Sequence, residues 1–289
     1  MKKVLITGGS GLLGTALIEQ YKNNSNLYAT FLRHQPRDAI AIHLDLLNVK
    51  SISEFIKKIS PDLIVHTAAA KDITWCQHNG KIAHAINVIG TRHLVKAAQS
   101  NDAKLIYIST DAVFDGVKGL YSESDEAIPV NTYGRTKLDG EIECLRYEKS
   151  LVIRSSFYGF SNYREKESFI PASVRRLAKG ETVYAAIDRV SNPLEVSLLS
   201  KIICEIGDDV NGLLHLGCMD SMNNFEIGRE IAKVFGYDTS LIKEIKFADV
   251  KNESDLDYPL NTSLNTDKAS KFVSIPSILK SLTTLKSKF

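Results

Sequence analysis

Along the first half of the chain, short runs of aliphatic and β-branched residues alternate with segments of helical period. This is the pattern of a parallel sheet covered by helices. Compact apolar runs at residues 3–7, 27–32, 39–44, 63–67, 105–109 and 151–155 predict six strands. Between them, helical periodicity predicts helices over 12–21, 81–100 and 133–149. Ser51 and Glu54 read as an S-x-x-E capping box that starts a further helix reaching 59. Within 81–100, Ile82, Ile86, Ile89, His93 and Ala97 fall on one face. After residue 156 the pattern loosens. Helical stretches at 168–179, 196–206 and 224–235 are separated by strand-like pieces at 213–216 and 242–247. The expected fold is α/β, a Rossmann-type doubly wound parallel sheet over residues 1–157. A smaller C-terminal α/β lobe for substrate is expected over 158–289, interleaved with the first part.

Composition narrows the class. With 44% hydrophobic and 24% charged residues the chain is an ordinary globular protein. A formal charge of +2 and the lack of a basic stripe argue against nucleic acid. No run approaches the roughly 20 apolar residues that span a bilayer, so no membrane partner is expected. Lys2 and Lys3 precede only Val4-Leu5-Ile6 before glycines intervene, which reads as a strand rather than a secretory segment. Cys76, Cys144, Cys204 and Cys218 show no C-x-x-C spacing and predict reduced thiols in a cytoplasmic protein. The seven histidines form no H-x-x-x-H and pair with no nearby cysteine, so no metal is expected. His66, on a buried strand, reads as a hydrogen-bonded core residue.

Chemistry enters at the first turn, Thr7-Gly8-Gly9-Ser10-Gly11-Leu12-Leu13-Gly14. Gly8, Gly11 and Gly14 lie between a strand and a helix, where glycine permits a sharp turn and close approach of backbone to a pyrophosphate. A ligand-free tight turn is the bland alternative. No acidic residue ends the second strand to accept a ribose hydroxyl; the chain reads Phe31-Leu32-Arg33-His34. Arg33 is therefore a candidate partner for a 2′-phosphate, favouring NADP (NADPH), with NAD as the alternative if Arg33 is a solvated surface residue. Asp45 follows the third strand and either reaches the adenine or caps its own loop.

A ketone reduced by hydride leaves an alkoxide that needs a proton. Tyr133 and Lys137 are four residues apart on a predicted helix, so the ammonium shares a face with the phenol and supplies a field that lowers its pKa. Thr110, at the carboxyl tip of the fifth strand, offers a hydroxyl for the carbonyl oxygen. Y-x-x-x-K alone is weak, because a chain with 11 tyrosines and many lysines produces about one match by chance. Tyr133 is the sole match, and it falls on a helix after the fifth strand. Its context makes the signal specific.

These motifs, in this order, resemble the extended short-chain dehydrogenase/reductases, and within them the dTDP-4-dehydrorhamnose reductase group. The likeness runs through residues 7–14, 66–70, Asn87 in an Asn-Val-x-Gly-Thr run, 109–116, Tyr121 with Glu123 and Asp125, Pro129, and 133–141. It continues more thinly through Arg154-Ser155 and Asp188 with Pro193. The resemblance implies that Thr110, Tyr133 and Lys137 are catalytic. It implies a cofactor held by Gly8, Ser10, Gly11, Leu12, Leu13, Gly14, Arg33, Asp45, Leu46, Ala68, Ala69, Ala70, Asn87 and Ser109, with Tyr133 and Lys137. The implied reaction is NAD(P)H-dependent reduction of a 4-keto nucleotide sugar, and a homodimer is left open.

Related dehydratases carry Thr-Asp-Glu where this chain has Thr110-Asp111-Ala112, which argues against dehydration. Epimerases share the triad and stay open, as does a non-catalytic regulatory subunit of the same fold. Three departures touch the substrate region: Ala112 where a tyrosine is frequent, Leu194 after Pro193 where threonine is usual, and Tyr258 in place of arginine ahead of Pro259. Trp75-Cys76 either lines the cleft or packs. Asp111 either orients substrate or caps its loop, and Asn87 either touches cofactor or holds helix geometry.

Overall fold

Val4, Leu5 and Ile6 are all fully buried, so the first apolar run cannot alternate: the sheet it enters is covered on both faces. The computed structural model describes residues 1–161, 167–249 and 257–289. Strands β1 (Lys2–Thr7), β2 (Ser25–Phe31), β3 (Ile40–His43), β4 (Leu63–His66), β5 (Lys104–Ile108) and β6 (Ser150–Ser155) are parallel throughout. Their order is 3-2-1-4-5-6, and the strand Gly212–Leu216 pairs parallel beside β6 as a seventh. Direction of winding reverses between β1 and β4, with Thr7 opposite His66. The loops leaving those two strands therefore open a crevice at the carboxyl edge.

The helix Leu12–Tyr21 turns Leu13, Leu17, Ile18 and Tyr21 inward, each aliphatic burial contributing roughly 1.5–3 kcal/mol. Helix Val196–Ile206 packs against it, and one apolar cluster joins Leu17 and Ile106 to Leu199, Leu214 and Ile231. Two further C-terminal helices, Phe169–Leu177 and Asn224–Phe235, accompany a parallel pair formed by Val183–Ala186 and Ile242–Ile245, and a last helix, Ile278–Lys286, packs against the second of them. Among the described residues no helix is long and apolar enough to cross a membrane.

Two local expectations are corrected. The helix expected from a Ser51 capping box is Val49–Ile59, and its N-cap is Asn48, whose side chain accepts from Ser51 N at 3.1 Å. Asparagine serves as well as serine there, and Ser51 is already inside the first turn. The helix expected over 81–100 is helical from Gly80 to Ser100 but contains a π-helical turn, Ala85–Gly90. Its buried stripe is Ala83, Asn87, Thr91, Leu94 and Ala98, while Ile82 on the expected face is 48% exposed. Two members of that stripe are polar and buried through hydrogen bonds, which apolar periodicity cannot register. The π turn also shifts the local period.

Candidate active site

The glycine turn is built by contact. Gly8 adopts φ +70°, and a Cβ there would lie 2.9 Å from the Ala68 backbone. A Cβ on Gly14 would lie 2.2 Å from the Gly8 carbonyl oxygen, so the helix can start against the turn only without one. That helix begins at Gly11 with no side-chain cap and no acidic residue in its first turn. Its leading N–H groups and positive dipole end are open to an anion, as a dinucleotide pyrophosphate requires. Ser10, Gly11 and Leu12 line a cavity of about 260 Å³ beside this turn, while Leu13 sits in the core. The residues present thus fit a dinucleotide.

Thr110 follows β5 and caps a single 3₁₀ turn, Asp111–Val113, accepting from Ala112 N at 3.2 Å. Helix Thr132–Leu145 starts at Asn131, whose side chain accepts from Gly134 N, and places Tyr133 in its first turn and Lys137 one turn later. A Cβ on Gly134 would meet the Ala112 carbonyl oxygen at 2.2 Å, so glycine beside the tyrosine lets this helix lie directly on the Thr110 turn. Thr110 and Tyr133 both line one cleft. Burial pushes the phenol up to about 12, the Thr110 hydroxyl opposes this, and the Asp111 carboxylate adds to it.

Lys137 Nζ donates to the Ile108 carbonyl at 2.7 Å and lies 4.0 Å from the Tyr107 ring centroid. Burial draws its pKa down to about 8, with Glu141 pulling the other way. The expected lowering of the phenol by the lysine field is corrected here. The ammonium is turned toward a backbone carbonyl, and burial dominates Tyr133.

Around this pair lies a polar shell of buried hydrogen bonds. The Asn87 amide accepts from Ala70 N at 2.8 Å and donates to Ala70 O and to Thr136 Oγ1, each at 3.0 Å. With both amide hydrogens and one Oδ1 lone pair engaged, Asn87 holds the loop after β4 to the helix of Tyr133. His66 joins Thr7 Oγ1 (2.7 Å) and Thr91 Oγ1 (3.0 Å), and burial lowers its pKa to about 3. It is the neutral core histidine the sequence suggested. Ser109 donates to Glu141, which forms a buried pair with Arg154 (Nη2–Oε2 2.7 Å) tying the helix to β6.

A cleft of about 330 Å³ runs from Thr110, Asp111 and Tyr133 into the C-terminal part. Phe157, Phe169, Arg189, Asn224, Tyr258 and Thr262 contribute to its walls. Asp111 holds both readings in one place: its Oδ2 accepts from Thr262 Oγ1 at 2.5 Å while it faces the cleft. Trp75-Cys76 does not line it; Cys76 is fully buried and Ile73 supplies that wall. Arg189 went unnoticed in the sequence because a lone arginine after Asp188 carries no spacing signal. Gly134 was hidden inside the Tyr-Lys motif.

The outlying cofactor candidates vary. Ala68, Ala69 and Ala70 follow β4 beside the glycine turn, partly exposed. Arg33 is exposed just beyond β2. Asp45 Oδ1 accepts from Leu47 N at 2.9 Å, the loop-capping alternative, and Leu46 turns its side chain into the core. Among the described residues no group of side chains is arranged to hold a metal ion, and all four cysteines are free.

Parallel-sheet order, glycine cradle and Thr-Tyr-Lys set define an NAD(P)-dependent oxidoreductase of the extended short-chain dehydrogenase/reductase type. The chain belongs to the RmlD substrate binding domain family, whose model matches residues 1–283. It is 28% identical over 252 residues to the probable low-salt glycan biosynthesis reductase Agl14 of Haloferax volcanii, covering 85% of this chain and 84% of that protein. It is 29% identical over 258 residues to methionine adenosyltransferase 2 subunit beta of Xenopus laevis, covering 84% and 75%. A crystal structure of a hypothetical dTDP-4-dehydrorhamnose reductase from Sulfolobus tokodaii superposes with a TM-score of 0.85 at 30% identity, covering 95% of this chain and 96% of that one.

Proposed function

We propose that the protein reduces the 4-keto group of a (deoxy) nucleotide sugar, in the manner of a dTDP-4-dehydrorhamnose reductase, with NADPH preferred over NADH. The observation that carries this reading is that Thr110 and Tyr133 line one cleft at the carboxyl edge of the sheet, with Lys137 one helical turn beyond Tyr133. When bound, the nicotinamide supplies the hydride. Thr110 holds the carbonyl oxygen, and Tyr133, which burial keeps protonated, delivers its proton as negative charge grows there. Lys137, a cation below about pH 8, releases the Ile108 carbonyl to hold the cofactor ribose. Ala112 leaves Asp111 without the glutamate that completes the acidic pair of the dehydratases at this strand tip. Arg33 stands exposed where a 2′-phosphate partner belongs, which supports the NADPH preference.

The test follows NADPH and NADH oxidation with 4-keto sugars carried on dTDP, UDP and GDP. Turnover with at least one, faster with NADPH, is expected; no cofactor consumption across the panel sinks the reading. Isomerised sugar with co-purified NAD and no net oxidation assigns an epimerase instead. A second reading, a non-catalytic partner subunit, draws on the likeness to the adenosyltransferase beta subunit. Stable co-elution with an enzyme and no turnover would support it, and the intact Thr110–Tyr133–Lys137 set weighs against it.

A further inference from the structure

Arg189 is mostly enclosed in the wall of the large cleft, and among the described residues its guanidinium makes no hydrogen bond or ion pair. A guanidinium carries five N–H donors, and those of Arg189 open onto the cleft rather than onto a protein acceptor. The group is nonetheless held firmly. It lies 4.7 Å from the centroid of Phe247 and 5.8 Å from that of Tyr258, two rings that meet edge to face at 5.7 Å. These rings hold the cation in place without taking any of its N–H donors as hydrogen-bond partners.

The backbone is pinned as well. Arg189 O accepts from Asn224 N at 2.9 Å, and the next residues, Val190–Ser191, pair antiparallel with Met222–Asn223. Phe247 is anchored in turn, its N–H donating to Asp188 Oδ1 at 2.8 Å. The nearest anionic counterweight is Asp111, close enough to be felt but already occupied by Thr262 and Thr110. A preorganised, unpaired, planar cation in a cleft is built to receive a ligand anion with two acceptor oxygens.

We infer that Arg189 is the substrate-recognition residue of this cleft, and that its fork takes the diphosphate of a nucleoside diphosphate sugar whose ring lies toward Thr110 and Tyr133. The inference rests on the nucleotide-sugar reading above. A carboxylate on the sugar ring itself fits less well, because the reacting end of the cleft already carries the Asp111 carboxylate.

Calorimetry on the full chain, with the cofactor site saturated by NADP⁺ or NAD⁺, tests this with dTDP and UDP as probes and thymidine and uridine as their uncharged counterparts. Arg189→Gln should weaken the better-binding diphosphate roughly 10- to 100-fold, as loss of a charged hydrogen-bond pair does. Arg189→Lys, which keeps the charge without the fork, should fall between. Nucleoside and cofactor affinities should stay within about twofold, which a collapsed cleft would not allow, and thermal unfolding confirms folded variants. If wild type binds diphosphate and Arg189→Gln binds it equally, the role of Arg189 is overturned while the nucleotide-sugar reading stands. Equal losses for nucleoside and diphosphate likewise overturn it in favour of a structural role. If wild type binds cofactor but neither diphosphate, the role of Arg189 is overturned, and the nucleotide-sugar reading is decided by the turnover panel, which also includes GDP sugars.

Discussion

Tyr133 keeps its proton because burial denies a phenolate its water, and the hydroxyl of Thr110 only partly compensates. As the proton donor, it should be irreplaceable in turnover but not in binding. Tyr133→Phe should lower kcat by roughly 10²- to 10⁴-fold with cofactor affinity nearly unchanged, measured by steady-state kinetics beside fluorescence titration. Near-full turnover in that variant would remove Tyr133 from the mechanism. Lys137 carries the pH dependence. Its folded pKa, drawn down to about 8, makes it a cation below that pH and neutral above. Cofactor affinity should therefore fall as pH rises through about 8, and Lys137→Met should flatten that profile. The sign for stability is opposite. Between about 8 and its ordinary value the unfolded chain holds a proton the folded one has lost, so this residue's contribution to stability grows with pH.

At the scale of elements, the site depends on how closely the Thr132–Leu145 helix approaches its neighbours. Gly134→Ala would drive a methyl into the Ala112 carbonyl and push the helix off the Thr110 turn. About 1–3 kcal/mol of stability should be lost in urea unfolding, with a fall in kcat larger than any change in cofactor affinity. The same helix is tied to β6 by the buried Glu141–Arg154 pair, whose side chains are 1% and 5% exposed. Arg154→Met alone leaves a buried carboxylate unpaired and should cost about 3–5 kcal/mol, while Glu141→Leu with Arg154→Met should recover most of it. Equal unfolding midpoints for the single and double variants would show that the pair is not what matters. On the same helix, Gly140 lets the π-turned helix approach closely: a Cβ at 140 would lie 2.8 Å from Asn87 O.

The whole molecule is one packed body in which the first and last thirds share a core, through Leu17, Leu199 and Leu214. It encloses two neutral histidines, His66 and His215, whose pKa values burial lowers to about 3. Both take up protons on unfolding between about pH 6.5 and 3, so their contribution is present at neutral pH and lost on acidification. Together they should remove about 2 kcal/mol between pH 6.5 and 5.5, read from urea midpoints at each pH. Half that loss would mean that one of them titrates in the folded state, and a flat profile that both do.

Much of this architecture was legible beforehand because it is local. The helices Leu12–Tyr21, Val196–Ile206 and Asn224–Phe235 have the expected bounds, since apolar period and end residues such as Asn223 and Gly236 act within a few positions. Glycines that must turn sharply, and a tyrosine and lysine one helical turn apart, are likewise written into spacing. What only the tertiary structure decided are the contacts made across long separations. Asn48 displaced Ser51 as a cap, and Asn87 proved to be a clamp. Lys137 turned to Ile108 instead of toward Tyr133, and Arg189 was delivered to the cleft by a ribbon far along the chain. The physical reason is that a polar residue's role is set by which partners burial brings to it, and sequence spacing does not encode those partners.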